Sequence, residues 1–260
     1  MYPADTFFRA VTWRASMGAV VSGPFRGLRL APHPYLPHLL GCYERELHAA
    51  IEALCARPWL RIVNVGGGNG FYIAGFGLRV PRAELVVFEL TAEARAVIAA
   101  TVERNGLTAR TRILGAAEPE NLEAVCSGPG PTLVVMDVEG AEIELTDPAR
   151  VPSLRATTML IETHDLLRAG CRDAIVARYG DSHTITTILP RVRTLADFPA
   201  SLAPFLPRLM PARCVESVQE WRGGPQEWLL LEPRPACERK EEHRPPERAA
   251  PSPSHLTSAL

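Results

Sequence analysis

The chain has 260 residues, a formal net charge of -1 and 22% charged residues. This length suits one sizeable α/β domain with its own core and is too short for two large domains. A nearly neutral chain has no overall basic field, so nucleic acid is not a favoured partner.

The basic residues are almost all arginine, because Lys240 is the only lysine. The predicted core therefore has no lysine for a phosphate-binding loop, a Schiff base or a lysine-dependent dehydrogenase. The six cysteines form no C-x-x-C pair and no zinc-like spacing, which indicates free thiols in a reducing compartment. The N-terminus does not resemble a signal peptide, and no apolar run reaches the ~20 residues of a membrane span. We expect a soluble, cytoplasmic protein without membrane partners.

Residues 1–60 are expected to form an N-terminal helical arm, in which an arm and a helix pack on the core. Within them, residues 1–40 contain many prolines and glycines, which predicts an irregular wrapped segment or lid. From Gly41 onward, apolar residues recur at helical spacing almost to Pro58, which predicts a helix. Tyr43 and Glu44 have two interpretations: a packing anchor beside a solvated carboxylate, or a role at the mouth of a site.

Residues 61–232 are expected to form the main domain. It begins with RIVNVGGGNGFY, an apolar run ending in glycines, which predicts a buried strand and a tight turn before a helix. A second helix is predicted from about Thr91 to Asn105, with the threonine as its N-cap. Further helices are predicted at PENLEAVC and over LLRAGCRDAIVARYG. Six more strands are predicted at ELVVFEL, TRILGAA, TLVVMDV, TTMLIETH, HTITTIL and EWLLLEP. Alternating strands and helices imply a Rossmann-like, doubly wound, mostly parallel seven-stranded α/β sheet.

Two segments late in the chain differ from this pattern. The segment from Leu195 to Arg213 is rich in proline, leucine and alanine and is expected to be an insertion beside the site. Residues 233–260 are rich in proline and charge and contain few large apolar groups. They predict a disordered tail, because burial cannot offset their ordering entropy.

Three of the predicted strands end in a carboxylate, at Glu89, Asp137 and Glu162. In an open α/β sheet, ligands bind beyond the carboxyl ends of the strands, so these acids are expected to line one crevice with the glycine turn. A buried carboxylate is costly to leave unpaired, which favours a ligand, a metal ion or a hydrogen-bond partner. The competing interpretation is that each acid caps a neighbouring helix or pairs with an arginine.

The glycine spacing discriminates between nucleotide cofactors. Gly66, Gly68 and Gly70 form G-x-G-x-G, and the dinucleotide pattern G-x-G-x-x-G fails at Phe71. Glu89 lies 19 residues after Gly70, at the end of the next strand, where a carboxylate can hold the hydroxyls of a ribose. S-adenosylmethionine fits this pattern because it presents a ribose without a pyrophosphate.

The stretch VVMDVEGAEIEL resembles the D-x-E-G-x-E signature of the FkbM-type methyltransferases, a branch of the class I S-adenosylmethionine-dependent enzymes. GPFRGL and GCYEREL resemble that family's upstream elements, RIVNVGGGNGFYIAGFGL its cofactor motif, and LIETHD its E-x-H strand end. The resemblance covers about residues 23–188. It implies the class I methyltransferase fold, with S-adenosylmethionine as the cofactor.

The resemblance also implies which residues contact the cofactor. The three glycines would lie under its methionine and ribose portions, Glu89 would hold the ribose diol, and the loop at Ala116 would approach the adenine. Asn64 stands where many class I enzymes have an acid, which implies a weaker grip on the methionine ammonium. The full predicted set is Asn64, Gly66, Gly68, Asn69, Gly70, Glu89, Leu90, Ala116 and Asp137.

Related O-methyltransferases hold a divalent ion with acids at the ends of the fourth and fifth strands, which correspond here to Asp137 and Glu162. His164 has three open interpretations: a third metal ligand, a general base or a structural histidine. Oxygen ligands with one imidazole suit Mg²⁺ or Mn²⁺ better than zinc. The predicted metal ligands are Asp137, Glu162 and His164, and the predicted catalytic residues are His164, Glu139 and Glu162.

Three nearby residues have a purely structural alternative. Glu139 and Glu142 fit the first turn of a helix, where the helix dipole favours acids. His183 either faces the same crevice or is a structural histidine at a strand edge.

The expected activity is methyl transfer to a small molecule, at a hydroxyl oxygen of a sugar or natural product. Because the sulfonium methyl is already activated, the protein must align the acceptor and make its lone pair available. His164 or Glu139 would deprotonate the hydroxyl, or an ion at Asp137 and Glu162 would coordinate it. Two other functions stay open: a non-catalytic S-adenosylmethionine-fold binding module and a nucleotide-dependent oxidoreductase, which the failed dinucleotide pattern disfavours. The sequence leaves the oligomeric state open.

Overall fold

A computed structural model describes residues 3–199, 201–202, 204–220, 222, 224 and 226–235 of the chain. Most of the predicted C-terminal tail, residues 236–260, lies outside the described residues. Pro233, the first residue of that predicted tail, is the last residue of a strand. The division of the chain at residues 60 and 232 stays a prediction.

Seven strands form one sheet, as the sequence predicts. Their order is β3-β2-β1-β4-β5-β7-β6, and every neighbouring pair is parallel except the two that contain β7. The doubly wound, mostly parallel arrangement is therefore confirmed. The strands are β1 (Arg61–Val65), β2 (Glu84–Phe88), β3 (Thr111–Leu114), β4 (Thr132–Met136), β5 (Thr158–Thr163), β6 (His183–Ile188) and β7 (Glu227–Pro233).

Helices connect and cover these strands. In the part of the chain that the structure describes, four short 3₁₀ helices are found at Arg45–Leu47, Thr108–Arg110, Pro152–Ala156 and Leu195–Asp197. The α-helices in the described residues are α1 (Pro3–Ser16), α2 (Leu36–Leu40), α3 (His48–Cys55), α4 (Phe71–Arg79), α5 (Ala92–Arg104), α6 (Pro119–Cys126), α7 (Glu142–Leu145), α8 (Cys171–Tyr179), α9 (Leu206–Leu209) and α10 (Pro211–Ser217). None of the helices in this part of the chain is both long and apolar enough to span a membrane.

The hydrophobic core has two main layers, one on each face of the sheet. Alternate residues of a strand point to opposite faces, so Ile62 and Val63 of β1 belong to different layers. Helices α3, α4 and α5 cover the first face, and α6, α7 and α8 cover the second. A third, smaller cluster joins α1 and α2 to the segment around Phe198 and Val218. The N-terminal arm therefore packs against the late segment of the chain.

Two predictions about the first 60 residues are wrong. Residues 1–40 are not irregular throughout, because they contain α1 and α2. The helix predicted from Gly41 begins only at the Arg45–Leu47 turn and continues as α3. Gly41 ends α2 with a left-handed backbone (φ 73°), and Glu44 is also left-handed (φ 45°), which interrupts any helix between them.

Two other helix predictions had opposite outcomes. The helix predicted from Thr91 to Asn105 is α5, and the Thr91 hydroxyl accepts a hydrogen bond from the Ala94 amide at 3.2 Å, so that prediction is confirmed. The helix predicted over LLRAGCRDAIVARYG begins only at Cys171, because Gly170 has a left-handed backbone (φ 79°). Leu167, within the predicted helix, lies in the preceding turn and is exposed.

Candidate active site

The glycine turn after β1 supplies the floor of the site. Gly66, Gly68 and Gly70 all have left-handed backbones, with φ of 83°, 53° and 83°. A side chain at Gly66 would overlap the carbonyl oxygen of Asp137, so only glycine lets this turn pack against the end of β4. A side chain at Gly68 would meet no described atom within 4 Å. The backbone at Gly68 therefore faces open space in which a ligand can approach it.

Glu89 connects this turn to the end of β2. One carboxylate oxygen accepts a hydrogen bond from the Gly68 amide at 2.9 Å, and the other accepts from the Thr91 amide at 3.0 Å. The Thr91 hydroxyl also lies 3.4 Å from the oxygen that accepts from the Thr91 amide, so only the oxygen bonded to Gly68 keeps a lone pair without a protein donor. This partly supports the alternative that Glu89 caps a neighbouring helix. The remaining lone pair can accept a bond from a ligand hydroxyl.

A cavity of about 310 Å³ opens at this edge of the sheet. It brings together six of the residues that the sequence selected and adds apolar residues from β1, β2 and the turn after β4. The Gly68 amide donates a hydrogen bond to Glu89, one of the residues that line it. The predicted residues that line the cavity are Gly66, Glu89, Leu90, Ala116, Asp137 and Glu139.

Three predicted cofactor residues have contacts inside the protein instead. Asn64 is buried, and its amide nitrogen lies 3.3 Å from the Gly66 and Val135 carbonyl oxygens. The Asn69 side chain contacts His38 at 2.9 Å and accepts a hydrogen bond from the first amide of α4 at 3.1 Å. Gly70 is the N-cap of α4. These residues shape the glycine turn, and their contact with a cofactor stays a prediction.

A second group of polar side chains surrounds His164, just after β5. The Nε2 atom of His164 lies 3.5 Å from Asp137 Oδ1, 3.5 Å from Glu139 Oε2 and 3.6 Å from Glu162 Oε2. Its Nδ1 atom lies 2.5 Å from Glu142 Oε1, in α7. The predicted catalytic residues and the predicted metal ligands, four residues in all, therefore lie close together around His164 Nε2.

The charges in this group perturb one another. Burial raises the pKa of Asp137 to about 8, and the Glu162 carboxylate adds to this effect. Burial also raises the pKa of Glu162 to about 7. Burial disfavours the charged form of His164, but its hydrogen bond to Glu142 and the nearby carboxylates outweigh this and raise its pKa to about 9. Without a cation, the group holds protons to limit the repulsion between its acids.

The donor set fits a hard divalent cation. One ligand atom from each of Asp137, Glu162 and His164 lies within 4.8 Å of the other two. Asp137 Oδ1 and His164 Nε2 are buried, and neither has a hydrogen-bond partner among the described residues. Buried polar atoms without partners are rare and call for an explanation such as an ion. Two carboxylates and one imidazole are ligands that Mg²⁺ or Mn²⁺ accepts.

A buried ion-pair network contacts the His164 group through Glu162. The sequence did not predict this network. Arg222 pairs with Glu162, with Glu44 at 2.5 Å and with Glu220 at 2.9 Å. Glu44 is fully buried, so its interpretation as a solvated carboxylate is wrong. Burial raises the pKa of Glu44 to about 8, against the opposing effect of Arg222. Its partner is 178 residues away in the chain, and no local pattern signals such a pair.

His183 lies away from this site. It is the first residue of β6, which runs parallel to β5 because both are antiparallel to β7. The start of β6 therefore lies at the amino-terminal end of the parallel strands, and the end of β5 lies at their carboxyl-terminal end. Its ring is buried between the Ser182 hydroxyl at 2.9 Å and the Thr157 carbonyl oxygen at 3.1 Å, which gives it a structural role.

Comparisons with known proteins show the fold. No known family profile matches the chain, and no curated protein shows significant sequence similarity to it. The delta-N METTL16 MTase domain is similar in structure, with 12% identity, a TM-score of 0.51, and coverage of 86% of this chain and 96% of that chain. The strand order and this similarity define a Rossmann-like class I methyltransferase fold.

Two other solved structures are similar at lower scores. The O-methyltransferase TomG from Streptomyces achromogenes, involved in tomaymycin synthesis and solved with SAM, has 13% identity, covers 89% of this chain and 91% of its own, and gives a TM-score of 0.43. The precorrin-6y C5,15-methyltransferase from Geobacter metallireducens GS-15 has 12% identity and a TM-score of 0.46, and the match covers 70% of this chain and 87% of that chain. At such identities the likeness concerns the fold alone.

Proposed function

We propose that the protein is an S-adenosylmethionine-dependent methyltransferase. The observation that supports this most strongly is Glu89, held by the Gly68 and Thr91 amides at the edge of the cavity. A fixed carboxylate at the end of the second strand is suited to accept a hydrogen bond from a hydroxyl of a ribose. The similar METTL16 structure is also that of a methyltransferase domain.

The remainder of the cofactor would follow the glycine turn. The backbone at Gly68 has no described atom beside it, so the ribose and methionine portions can approach it closely. Ala116 and Leu90 line the cavity on the side of Glu89, where the adenine would lie. Asn64 is engaged inside the protein through its amide nitrogen, and its buried Oδ1 atom has no partner within the described chain. That oxygen is available to accept a bond from the methionine ammonium through water.

We further propose that the transfer is to a hydroxyl oxygen of a small molecule. Asp137, Glu162 and His164 would hold Mg²⁺ or Mn²⁺, which when bound would act as a Lewis acid toward the acceptor oxygen. Glu142 fixes the His164 ring so that Nε2 faces the carboxylates. Glu139 is the most exposed of these acids and lies at the cavity, where it can take a proton from an incoming hydroxyl.

The FkbM subtype is part of the same proposal. Its signature residues Asp137, Glu139 and Glu142 all lie within hydrogen-bonding or ion-pairing reach of His164, which belongs to a second segment of the resemblance. The turn between β4 and α7 makes this possible, because Glu139 and Gly140 have left-handed backbones (φ 54° and 108°). Two motifs that are separate in sequence thus converge on one point.

Isothermal titration calorimetry with S-adenosylmethionine, S-adenosylhomocysteine and NAD tests the proposal. We expect S-adenosylmethionine and S-adenosylhomocysteine to bind and NAD not to bind. We expect Glu89→Ala to lower the affinity for S-adenosylmethionine by about 10- to 100-fold. Glu93→Ala is the matched control, because Glu93 is an exposed acid in the first turn of α5. A wild-type protein that does not bind S-adenosylmethionine, or an unchanged affinity in Glu89→Ala, would contradict the proposal.

A further inference from the structure

Arg222 is the centre of a closed polar group on the first face of the sheet. Its guanidinium pairs with Glu162 at the end of β5, with Glu44 before α3 at 2.5 Å, and with Glu220 at 2.9 Å. The side chains of the three acids are at most 6% exposed, and that of Arg222 is 16% exposed. Three parts of the chain therefore meet at one buried cation.

Carboxyl groups outnumber guanidinium groups in this cluster. Arg193 is the second cation, and it pairs with Glu46 at 2.6 Å and with Glu220 at 2.5 Å. Four buried carboxyl groups thus face two guanidinium groups. Each buried carboxyl oxygen needs a hydrogen-bond partner, so an arrangement of this kind favours a bound group that is cationic or donates hydrogen bonds.

Three buried polar atoms in this region have no partner in the described part of the chain. They are Glu44 Oε2, Tyr72 Oη and Trp228 Nε1. Glu44 and Trp228 are fully buried residues, and Tyr72 is 7% exposed. Buried polar atoms of these kinds usually have a partner, so each of the three is suited to a hydrogen bond with a bound ligand.

Aromatic rings connect these atoms into one wall. The Tyr72 ring centroid lies 5.9 Å from that of Trp228 and 6.5 Å from that of Tyr43. The Arg222 guanidinium carbon lies 5.7 Å from the Tyr43 ring. Trp228 is directly opposite Glu162 in the pairing of β5 with β7. Since Glu162 also approaches His164, this wall borders the predicted reaction centre.

The backbone of Glu44 agrees with a functional role. Its φ of 45° is in the left-handed region, which is unfavourable for a residue with a side chain. The Glu44 amide is held by Glu220 at 2.9 Å. A structural ion pair alone would be satisfied by a relaxed residue with both carboxylate oxygens paired. A left-handed backbone at a residue with a half-paired buried carboxylate is typical of a binding site.

We propose that Glu44, Tyr72 and Trp228 form the acceptor subsite, and that the acceptor presents a hydroxyl or ammonium group to Glu44 and is not an anion at that end. This rests on the proposed methyltransferase function and adds the class of its substrate. The aromatic wall of Tyr43, Tyr72 and Trp228 packs against the carbon skeleton, and it favours a cation where one is present.

Three phenols of matched shape test the charge preference. Tyramine carries an ammonium, tyrosol a hydroxyl and 4-hydroxyphenylacetate a carboxylate, and each is titrated calorimetrically into protein saturated with S-adenosylhomocysteine. We expect tyramine or tyrosol to bind at least about tenfold more tightly than the carboxylate. The stronger of the two identifies the natural group as ammonium or hydroxyl. Equal or tighter binding of the carboxylate, or no binding of tyramine and tyrosol at about 1 mM, overturns the proposal.

Two variants assign the preference to this subsite. Glu44→Gln keeps the size of the side chain, and we expect it to reduce the preference over the carboxylate by about tenfold. Tyr72→Phe removes a hydroxyl with no protein partner, so it should fold as the wild type does and still bind tyrosol about tenfold less tightly. Glu52→Gln, at an exposed pair with Arg79, is the control. An unchanged preference in Glu44→Gln together with unchanged tyrosol affinity in Tyr72→Phe overturns the assignment.

The cofactor titration separates this proposal from the proposed function. A protein that binds S-adenosylhomocysteine but treats the three phenols alike retains its methyltransferase assignment and loses the subsite. A protein that binds no S-adenosylhomocysteine loses the assignment on which the subsite depends.

Discussion

His164 Nδ1 lies 2.5 Å from Glu142 Oε1, and both side chains are fully buried. This bond links the short helix after β4 to the end of β5 and fixes the opposite ring nitrogen toward Asp137, Glu139 and Glu162. The orientation of the histidine thus depends on an acid that does not line the cavity.

The first prediction concerns the charge of this pair. In metal-free protein, Glu142→Gln should lower the pKa of His164 from about 9, because an amide cannot stabilise the imidazolium as a carboxylate does. The folded pKa exceeds the usual 6.5, so protonated His164 stabilises the fold below about pH 6.5, and this contribution is lost as the pH rises through about 9. A histidine NMR titration measures the pKa. Glu144→Gln, at an exposed pair with Arg168, should leave it unchanged. An unaltered His164 pKa in Glu142→Gln would refute the coupling.

The second prediction compares two glycines of the turn after β1. Gly66→Ala should prevent stable folding, because its methyl group would overlap the Asp137 carbonyl oxygen. Gly68→Ala should cost only about 1 kcal/mol for its left-handed backbone, yet it should abolish S-adenosylmethionine binding by filling the open space. Thermal unfolding and calorimetry measure the two effects. Normal cofactor affinity in Gly68→Ala would show that the ligand does not approach this backbone.

The third prediction concerns the metal. Wild-type protein should bind Mn²⁺, and Asp137→Asn should weaken this binding by about 100-fold, because Asp137 Oδ1 is one of three convergent ligand atoms. Electron paramagnetic resonance of free Mn²⁺ gives the affinity. Asp173→Asn, an exposed acid paired with Arg172, is the matched control. Methyl transfer that persists in a chelator and in Asp137→Asn would show that the reaction needs no ion at this position.

The fourth prediction concerns Arg222. Arg222→Met should lower the free energy of unfolding by about 3 kcal/mol, because it leaves buried Glu44, Glu162 and Glu220 without their common cation. Arg213→Met removes an exposed pair with Glu216 and should change the stability by less than about 1 kcal/mol. Urea unfolding of both variants gives the comparison. Similar losses in the two would mean that the buried network contributes little.

The strands and the residues at their carboxyl ends could be predicted because their sequence signals are local. Runs such as TLVVM in β4 are continuously apolar since both of their faces are buried, and the carboxylates that end them must meet at one edge of a parallel sheet. Glu89, Asp137 and Glu162 accordingly lie at the positions that the sequence indicated.

The group around Glu44 and Arg222 could not be predicted, since its contacts join distant segments. Glu44 and Arg222 are 178 residues apart, and no periodicity relates them. The backbone of Glu44 is left-handed although the residue is not glycine, so the helical spacing from Gly41 was misleading. The contact between Glu142 and His164 likewise depends on the turn at Gly140, which only the folded chain shows.

The position of β7 sets the order in which the site can be built during translation. Residues 61–137 contain the glycine turn, Glu89 and Asp137 in one contiguous stretch. This stretch, which carries the proposed cofactor contacts, therefore emerges from the ribosome early. Trp228 lies on β7, the last described strand, which inserts between β5 and β6 after both have been synthesised. The proposed cofactor contacts are therefore synthesised before Trp228 of the proposed acceptor side, which is complete only when the final strand is in place.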